Sequence, residues 1–179
     1  IVTLQEVLPE NRAWMETLRD TWPHQLYCPG SVVGGQAILT RLDPVPGTEF
    51  CGPGVAAMQV VAGPAENQDR FWLVSVHLHW PWPYGQARRV ELILPLLDKL
   101  QGPAIMAGDF NMVRWANSVM RMADILDVRP TGPTAGSYVG LSPLVPLPLD
   151  HVFSTLGGRV TMRPAAGSDH LGLLAEVAL

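Results

Sequence analysis

The sequence predicts a mixed α/β domain in which β-sheets pack together and helices cover their outer faces. Short apolar runs bounded by glycine and proline outnumber the stretches with helical periodicity. The 17 glycines and 17 prolines are spread between these runs and do not gather in a linker. A chain of 179 residues that is 47% hydrophobic is large enough to bury one core. We therefore predict one domain over residues 1–179.

The first half of the chain predicts mostly strands. Residues 1–7 form an apolar run typical of a strand, and residues 9–20 favour a helix because Trp14, Met15 and Leu18 share one face. Further strands are predicted at 35–39, 55–62 and 71–78.

The second half predicts two helices and four strands. The longest helix spans 84–100, where apolar residues recur at helical spacing, and a shorter one spans 116–126. Between them, the run that begins at Pro103 predicts a buried strand ending at Asp109. A loop rich in proline and glycine follows at 129–148, and the last strands are predicted at 149–154, 159–163 and 173–179.

The charge balance limits the partners. The chain has 12 basic and 16 acidic residues, a net charge of −4, and Lys99 is the single lysine. Strong nucleic-acid binding is therefore disfavoured, because it relies on basic patches that contact phosphates. No apolar run approaches the roughly 18 residues that cross a bilayer. The chain opens inside a predicted strand, which we interpret as an N-terminal truncation of the domain, and we expect a monomer.

The two cysteines leave two interpretations open. Cys28 and Cys51 stand 23 positions apart, each in a context typical of a turn, and neither belongs to a closely spaced metal-binding pattern. They are either two free thiols or one disulfide formed in an oxidising compartment.

Acidic, amide and histidine side chains cluster at five predicted strand ends or beside them. These clusters are Leu4-Gln5-Glu6, His77-Leu78-His79, Asp109-Phe110-Asn111, Leu149-Asp150-His151 and Ser168-Asp169-His170. In α/β proteins, the carboxyl ends of strands are where ligands bind. Any one cluster has a plain alternative, such as a surface acid, a turn or a structural histidine. Together they predict a metal-assisted hydrolytic site.

Each residue type suits a separate task in phosphoester hydrolysis. Glu6 suits a Mg²⁺ ligand, because hard cations take one or two protein carboxylates. Asp109 can position or deprotonate a water, and the Asn111 amide can donate to a phosphoryl oxygen. His170 can donate to a phosphate or protonate a leaving oxygen, and Asp150 can orient its imidazole.

The ordered motifs LQE (4–6), HL (77–78), GDFN (108–111), LDH (149–151) and SDH (168–170) resemble those of the endonuclease/exonuclease/phosphatase superfamily. That group includes pancreatic deoxyribonuclease, abasic-site endonucleases, neutral sphingomyelinases and inositol polyphosphate 5-phosphatases. The resemblance implies a four-layer sandwich of two packed mixed sheets flanked by helices. It also implies these roles: metal binding by Glu6 and Asp169, water activation by Asp109, phosphate binding by Asn111 and His77, and stabilisation of pentacovalent phosphorus by His170 oriented by Asp150.

The chain departs from the superfamily pattern at its start, where the expected preceding strand with an asparagine is missing. The segment at residues 77–83, together with Gln86, resembles the corresponding segment of bacterial members of the superfamily. Those proteins often carry transmembrane segments upstream of the domain. That resemblance implies a domain that faces the periplasm or another extracytoplasmic space. The alternative is a cytoplasmic location. Trp80 and Trp82, with His79, are candidate substrate contacts. The alternative is that the tryptophans pack a proline-rich loop.

The sequence therefore predicts a phosphoesterase dependent on Mg²⁺ or Mn²⁺ that attacks phosphorus in line with water. Its substrate is a phosphodiester or phosphomonoester: a nucleotide, a nucleic acid, or a lipid or sugar phosphate. The alternatives are a catalytically idle domain that keeps the fold for binding, and a nuclease proper, which the acidic balance disfavours.

Overall fold

A computed structural model describes residues 1–31, 33–64, 68–142 and 144–178. This part of the chain holds twelve strands and three α-helices, as the mixed α/β prediction requires. The strands are β1 (Val2–Val7), β2 (His24–Ser31), β3 (Gly34–Thr40), β4 (Asp43–Pro44), β5 (Phe50–Gly52), β6 (Val55–Ala62), β7 (Asp69–His77), β8 (Ala104–Asp109), β9 (Arg129–Pro130), β10 (Asp150–Ser154), β11 (Gly158–Arg163) and β12 (Gly172–Val177). The helices are α1 (Arg12–Glu16), α2 (Gln86–Leu97) and α3 (Asn117–Ile125).

The strands form two packed sheets and a separate pair. The larger sheet has the order β4-β6-β7-β8-β10-β9, with β5 also paired to β6. Its neighbours run antiparallel except for β7 and β8, which are parallel. The smaller sheet has the order β1-β3-β2, and β11 pairs with β12. The parallel pair matters most, because it brings two strand ends to the same edge of the larger sheet.

Three apolar clusters show the layering. Strand alternation sends Ile38 of β3 towards the larger sheet, where it packs with Met58 and Leu73. Leu39 faces the other way and packs with Met15 of α1. On the far side of the larger sheet, strand residues pack against α2 and α3. The order of layers is therefore helix, sheet, sheet, helices, which confirms the predicted sandwich.

The strand β2, at the edge of the smaller sheet, was not predicted from the sequence. Pro29 and Gly30 indicate a turn in the sequence, yet both lie inside β2. An edge strand tolerates proline, because one side of its backbone has no partner. The pairing of β2 with β3 also shifts register between Cys28 and Ser31, as at a bulge. The short strands β4, β5 and β9 were also not predicted.

The first predicted helix is shorter than expected. Residues 9–20 were predicted as one helix, whereas a 3₁₀ turn at Pro9–Asn11 leads into the five-residue α1. Helical geometry ends where both the backbone N–H and the hydroxyl of Thr17 donate to the carbonyl of Trp14. The predicted 84–100 helix is trimmed to α2, which begins after Gly85, a residue in the left-handed region at φ 69°. Among the described residues, no helix is both long and apolar enough to span a membrane.

Cys28 and Cys51 form a disulfide, which confirms the second interpretation of the cysteines. Their Cα atoms lie 5.3 Å apart. The predicted turn setting was wrong, because Cys28 lies in β2 and Cys51 in β5. The bond therefore joins a strand of the smaller sheet to a strand paired with the larger one.

Replacing Cys28 and Cys51 together with alanine is expected to lower the free energy of unfolding by about 3 kcal/mol. The reason is that the bond closes a loop between residues 23 positions apart in the unfolded chain. Urea unfolding of the oxidised protein, the reduced protein and the double variant measures this. We expect the reduced protein to match the variant, and no free thiol in the denatured, unreduced protein. Two reactive thiols in that sample would contradict the bond.

Candidate active site

Three of the predicted site residues stand in a row across neighbouring strands, and we call these three side chains the row. The parallel pairing of β7 with β8 places His77 beside Asp109, and the antiparallel pairing of β8 with β10 places Asp109 beside Asp150. Directly paired residues of adjacent strands project from the same face of a sheet. The predicted strand-end residues of three motifs therefore meet because two strands end, and a third begins, at the same edge.

Asp109 is buried and firmly held. Its Oδ1 accepts from the backbone N–H of Asn111 at 2.8 Å, and its Oδ2 accepts from the Asn111 side chain at 3.1 Å. Asn111 adopts a left-handed conformation, φ 48°, and its Nδ2 also donates to the carbonyl of Leu78 at 2.8 Å. Burial, followed by the charge of Asp150, raises the pKa of Asp109 to about 7 despite these donors. The carboxyl group can therefore exchange a proton near neutral pH.

Asp150 and His170 form a hydrogen-bonded pair. The Nδ1 of His170 lies 2.6 Å from Oδ2 of Asp150, and its Nε2 lies 4.0 Å from Oδ2 of Asp109. Burial lowers the pKa of His170, but the hydrogen bond to Asp150 and the charges of nearby carboxylates outweigh it and raise the pKa to about 9. The imidazole is thus held as a cation with Nε2 facing the row.

Glu6 reaches the row from the smaller sheet. It has a left-handed backbone, φ 56°, where the pairing of β1 with β3 shifts register, and its side chain is 62% exposed. Its Oε1 lies 3.7 Å from Nε2 of His77. Partial burial and then the charge of Asp169 raise the pKa of Glu6.

His77 is buried between acidic groups. Its Nε2 lies 3.9 Å from Oδ2 of Asp109, in addition to the contact with Glu6. Burial, assisted by the charges of His79 and Arg89, lowers the pKa of His77 to about 4. The ring is therefore neutral near pH 7. His79 is partly exposed beyond the strand, and burial lowers its pKa as well.

The donor set fits a divalent cation. One oxygen or nitrogen atom of each of Asp109, Asp150 and His170 lies within 4.8 Å of the other two. The two carboxylates can serve as ligands directly, whereas the cationic His170 can do so only after losing its proton. After burial, the charge of Asp150 adds to the raised pKa of Asp109, and the charge of Asp169 adds to that of Glu6, so a hard cation would offset negative charge here. The predicted ligands Glu6 and Asp169 lie outside that compact group but border it, and their metal-binding role stays a prediction.

Aromatic side chains extend from the pair towards solvent. The ring of Tyr138 lies 4.8 Å from that of His170 and 5.9 Å from that of Trp80. Trp80 is thus linked to the site through Tyr138, and Trp82 is 83% exposed. Tyr138 was not among the predicted site residues, because it lies in the loop predicted at 129–148.

Gln86 is a supporting residue whose role the sequence analysis did not identify. Its buried side chain donates to the carbonyls of His79 at 2.7 Å and Phe110 at 2.9 Å, and accepts from Ser118 at 2.8 Å. It therefore ties the segments that follow β7 and β8 to α3. The sequence contained one indication of this role: a glutamine on the buried face of a predicted amphipathic helix needs hydrogen-bond partners. His151 faces the core, and its Nε2 contacts the carbonyl of Met112 at 2.8 Å.

The effect of Asp150→Asn on stability is expected to depend on pH in the cation-free protein. His170 has a higher pKa when folded, so the pair stabilises fully below pH 6.5 and loses this effect as pH rises through about 9. The pair is partly exposed, and solvent screening reduces its contribution. We therefore expect Asp150→Asn to lower the free energy of unfolding by about 1–2 kcal/mol at pH 5.5 and by much less at pH 10. Urea unfolding in EDTA at both pH values measures this. An equal loss at both would contradict an ionic pair.

The comparisons with known proteins match this fold. The model of the Endonuclease/Exonuclease/phosphatase family matches residues 1–170. A family protein from Leptotrichia buccalis is 18% identical, with 100% of this chain and 82% of that chain covered and a TM-score of 0.65. The catalytic domain of human nocturnin with bound sulfate is 14% identical, with 98% and 79% covered and a TM-score of 0.67.

A double mutant of beta toxin from Staphylococcus aureus, with bound magnesium ions, is 13% identical, with 94% of this chain and 82% of that chain covered and a TM-score of 0.62. No curated protein sequence gives a significant match. Similarity to the solved structures at these identities concerns the fold alone, whereas the family model covers nearly the whole chain and all five motifs. The chain therefore belongs to the endonuclease/exonuclease/phosphatase family.

Proposed function

We propose that this protein hydrolyses phosphoester bonds with the help of a divalent cation, Mg²⁺ or Mn²⁺, by in-line attack of water on phosphorus. The observation that carries the proposal is the row of His77, Asp109 and Asp150, joined by His170 through its hydrogen bond to Asp150. Together with His170, the row provides a carboxylate able to accept a proton (Asp109), a cationic imidazole (His170) and a neutral imidazole (His77). This combination suits a reaction that activates water next to an anionic phosphate.

Asp109 is the proposed acceptor of the water proton. It is buried, its two oxygens are oriented by Asn111, and its pKa is raised to about 7. A general base is most effective when its pKa lies near the working pH. A raised pKa therefore supports deprotonation of water more directly than an ordinary surface aspartate would.

His170 is the proposed partner of the charge that develops on the phosphoryl oxygens. Asp150 holds Nδ1, which leaves Nε2 free to donate towards the same space that Asp109 faces. A fixed, cationic donor stabilises a transition state that carries more negative charge on oxygen than the substrate does. Asp150 is thus a positioning residue for the imidazole.

His77 and Asn111 are the proposed phosphate contacts. A neutral His77 can donate one hydrogen bond from a buried, preoriented ring. Asn111 donates from Nδ2 to Leu78 and Asp109 in this structure, so contact with a phosphoryl oxygen needs one of these bonds to be exchanged. Before substrate binds, the Asn111 amide orients the carboxylate of Asp109, the proposed base.

Glu6 and Asp169 are the proposed ligands of the cation, next to the compact group of Asp109, Asp150 and His170. A cation bound there would supply positive charge to offset the negative charge of the phosphoryl oxygens. The charge of Asp169 contributes to the raised pKa of Glu6, as expected where carboxylates lie near one another without a cation.

The substrate is proposed to lie along the aromatic side chains. Trp80 and Trp82 are exposed in the segment that follows His77, and Tyr138 joins Trp80 to His170. Exposed aromatic rings can stack on a nucleobase or contact an acyl chain or headgroup, and His79 is a further candidate contact. The Cys28–Cys51 disulfide supports an extracytoplasmic setting, because such bonds persist in oxidising compartments. The bacterial origin rests on the resemblance of residues 77–83 alone.

The test is turnover of bis(p-nitrophenyl) phosphate, p-nitrophenyl phosphate and supercoiled DNA with Mg²⁺, with Mn²⁺ and with EDTA. We expect cation-dependent hydrolysis of at least one nitrophenyl ester and weak or absent nicking of DNA. Nicking that far exceeds hydrolysis of the small esters would favour a nuclease proper. No cation-dependent turnover of any phosphoester, while the cation still raises Tm, would overturn catalysis in favour of a binding domain.

A further inference from the structure

The Asp150–His170 pair joins two segments that are 20 residues apart in sequence. Residues 137–139, which we call the clasp, run between them. On one side, Tyr138 exchanges backbone hydrogen bonds of 2.9 Å with Leu147, shortly before Asp150. On the other side, the N–H of Val139 donates to the carbonyl of Asp169 at 2.9 Å, and the N–H of Leu171 donates to that of Ser137 at 2.7 Å. The clasp is therefore paired with both motifs.

Ser137 bonds to both segments through different atoms. Its side chain is fully buried, and its hydroxyl oxygen accepts from the backbone N–H of Asp150 at 3.0 Å and of Leu149 at 3.3 Å. Its carbonyl oxygen accepts from Leu171, the residue after His170. One residue thus fixes the first backbone amide of β10 relative to the strand that follows the histidine.

The ring of Tyr138, next in the chain, packs against the His170 imidazole at 4.8 Å. The imidazole is therefore held by Asp150 at its Nδ1 and by Tyr138 across its ring. Since the clasp also sets the backbone of both partners, its position determines where the Nε2 of His170 points.

We propose that Ser137 is a positioning residue that aligns Asp150 with His170 for catalysis. The role in turnover rests on the proposed function, whereas the alignment itself does not. Without the hydroxyl, the backbone N–H of Asp150 loses its acceptor, and the N–H of Leu149 keeps only the carbonyl of Leu147 at 3.2 Å, so the start of β10 is free to shift relative to His170. A displacement of about 1 Å in a catalytic group lowers a rate by roughly a hundredfold.

Ser137→Ala is the test variant and Ser154→Ala its matched control. Ser154 is a buried serine in the same strand as Asp150, at the opposite end, where its hydroxyl donates to the carbonyl of Gly157 at 2.8 Å. Both changes remove a buried hydroxyl, so both should lower Tm by a similar amount. Only Ser137→Ala should lower kcat, by roughly 10- to 100-fold, with KM changed less than about threefold. Ser137→Thr, which keeps the hydroxyl, should recover most of kcat.

A second readout needs no substrate. A proton in a hydrogen bond as short as that of the Asp150–His170 pair should give a low-field NMR resonance, assigned by its loss in His170→Ala. We expect Ser137→Ala to move or broaden this resonance and Ser154→Ala to leave it unchanged. If Ser137→Ala does not fold, Ser137→Cys carries the same test, because sulfur is a weaker acceptor.

The two readouts separate this proposal from the proposed function. If the wild-type protein hydrolyses no phosphoester, the resonance still tests the alignment. An unchanged resonance in Ser137→Ala would overturn the proposal. So would a kcat within twofold of wild type, or an equal loss of kcat in Ser154→Ala.

Discussion

Replacing Asp109 with asparagine is expected to lower kcat for cation-dependent phosphodiester hydrolysis by roughly 10³- to 10⁴-fold. Asparagine keeps the shape of the side chain and the oxygen that accepts from the backbone N–H of Asn111, and it loses only the 3.1 Å bond from the Asn111 side chain, so the fold should be preserved. It cannot accept a proton, and the raised pKa of Asp109 is the property that equips this position to do so. Steady-state kinetics at saturating Mg²⁺, with circular dichroism to check folding, measures the loss.

His79→Ala is the matched control for this variant. His79 lies two residues after His77 but is partly exposed. As a candidate substrate contact it is expected to change KM rather than kcat. We expect its kcat within about threefold of wild type. If Asp109→Asn keeps more than a tenth of the wild-type rate, Asp109 does not activate the water.

The second large effect is the combination of His170→Ala with Asp150→Asn. His170→Ala alone should lower kcat by about 10³-fold, because the oriented cationic donor is lost. Asp150→Asn alone should lower it by about 10²-fold, since its carboxylate orients and charges the ring. Groups that act as a unit give losses that do not add, so the double variant should be no more than about threefold slower than His170→Ala.

The double-mutant comparison also separates two roles for Asp150. Its carboxylate belongs to the compact group that could hold a cation. If it binds the cation independently of His170, the two losses would multiply to about 10⁵-fold. That result would contradict our assignment of Asp150 as the residue that positions the imidazole. Mn²⁺ titration of each variant would then locate the change in cation affinity.

The strand ends were predictable from the sequence because they follow from local pattern. The apolar runs before His77 and Asp109 indicate buried strands, and each change to polar residues marks the edge of the sheet. The order of the motifs identified the family, and the structure brings the row together as those strand ends require. The sequence could not decide between two free thiols and a disulfide, because the pairing of the two cysteines depends on how the two sheets pack.

Other parts of the site could not be predicted because they depend on long-range backbone pairing. Ser137 and Tyr138 lie in a stretch of proline and glycine that gives no periodic signal, yet each contacts a motif. The orientation of Asn111 also depends on the carbonyl of Leu78, which is 33 positions away. Proline and glycine in β2 concealed a strand, since local preference indicates a turn and only pairing with β3 overrides it.

The most direct test of the central claim is hydrolysis in ¹⁸O-labelled water. The protein is incubated with a phosphodiester and Mg²⁺, and both products are analysed by mass spectrometry. Attack of water on phosphorus predicts one ¹⁸O in the phosphoryl product and none in the alcohol, with no product in EDTA or from Asp109→Asn. Label in the alcohol, or equal product formation in EDTA, would contradict cation-dependent attack on phosphorus at this site.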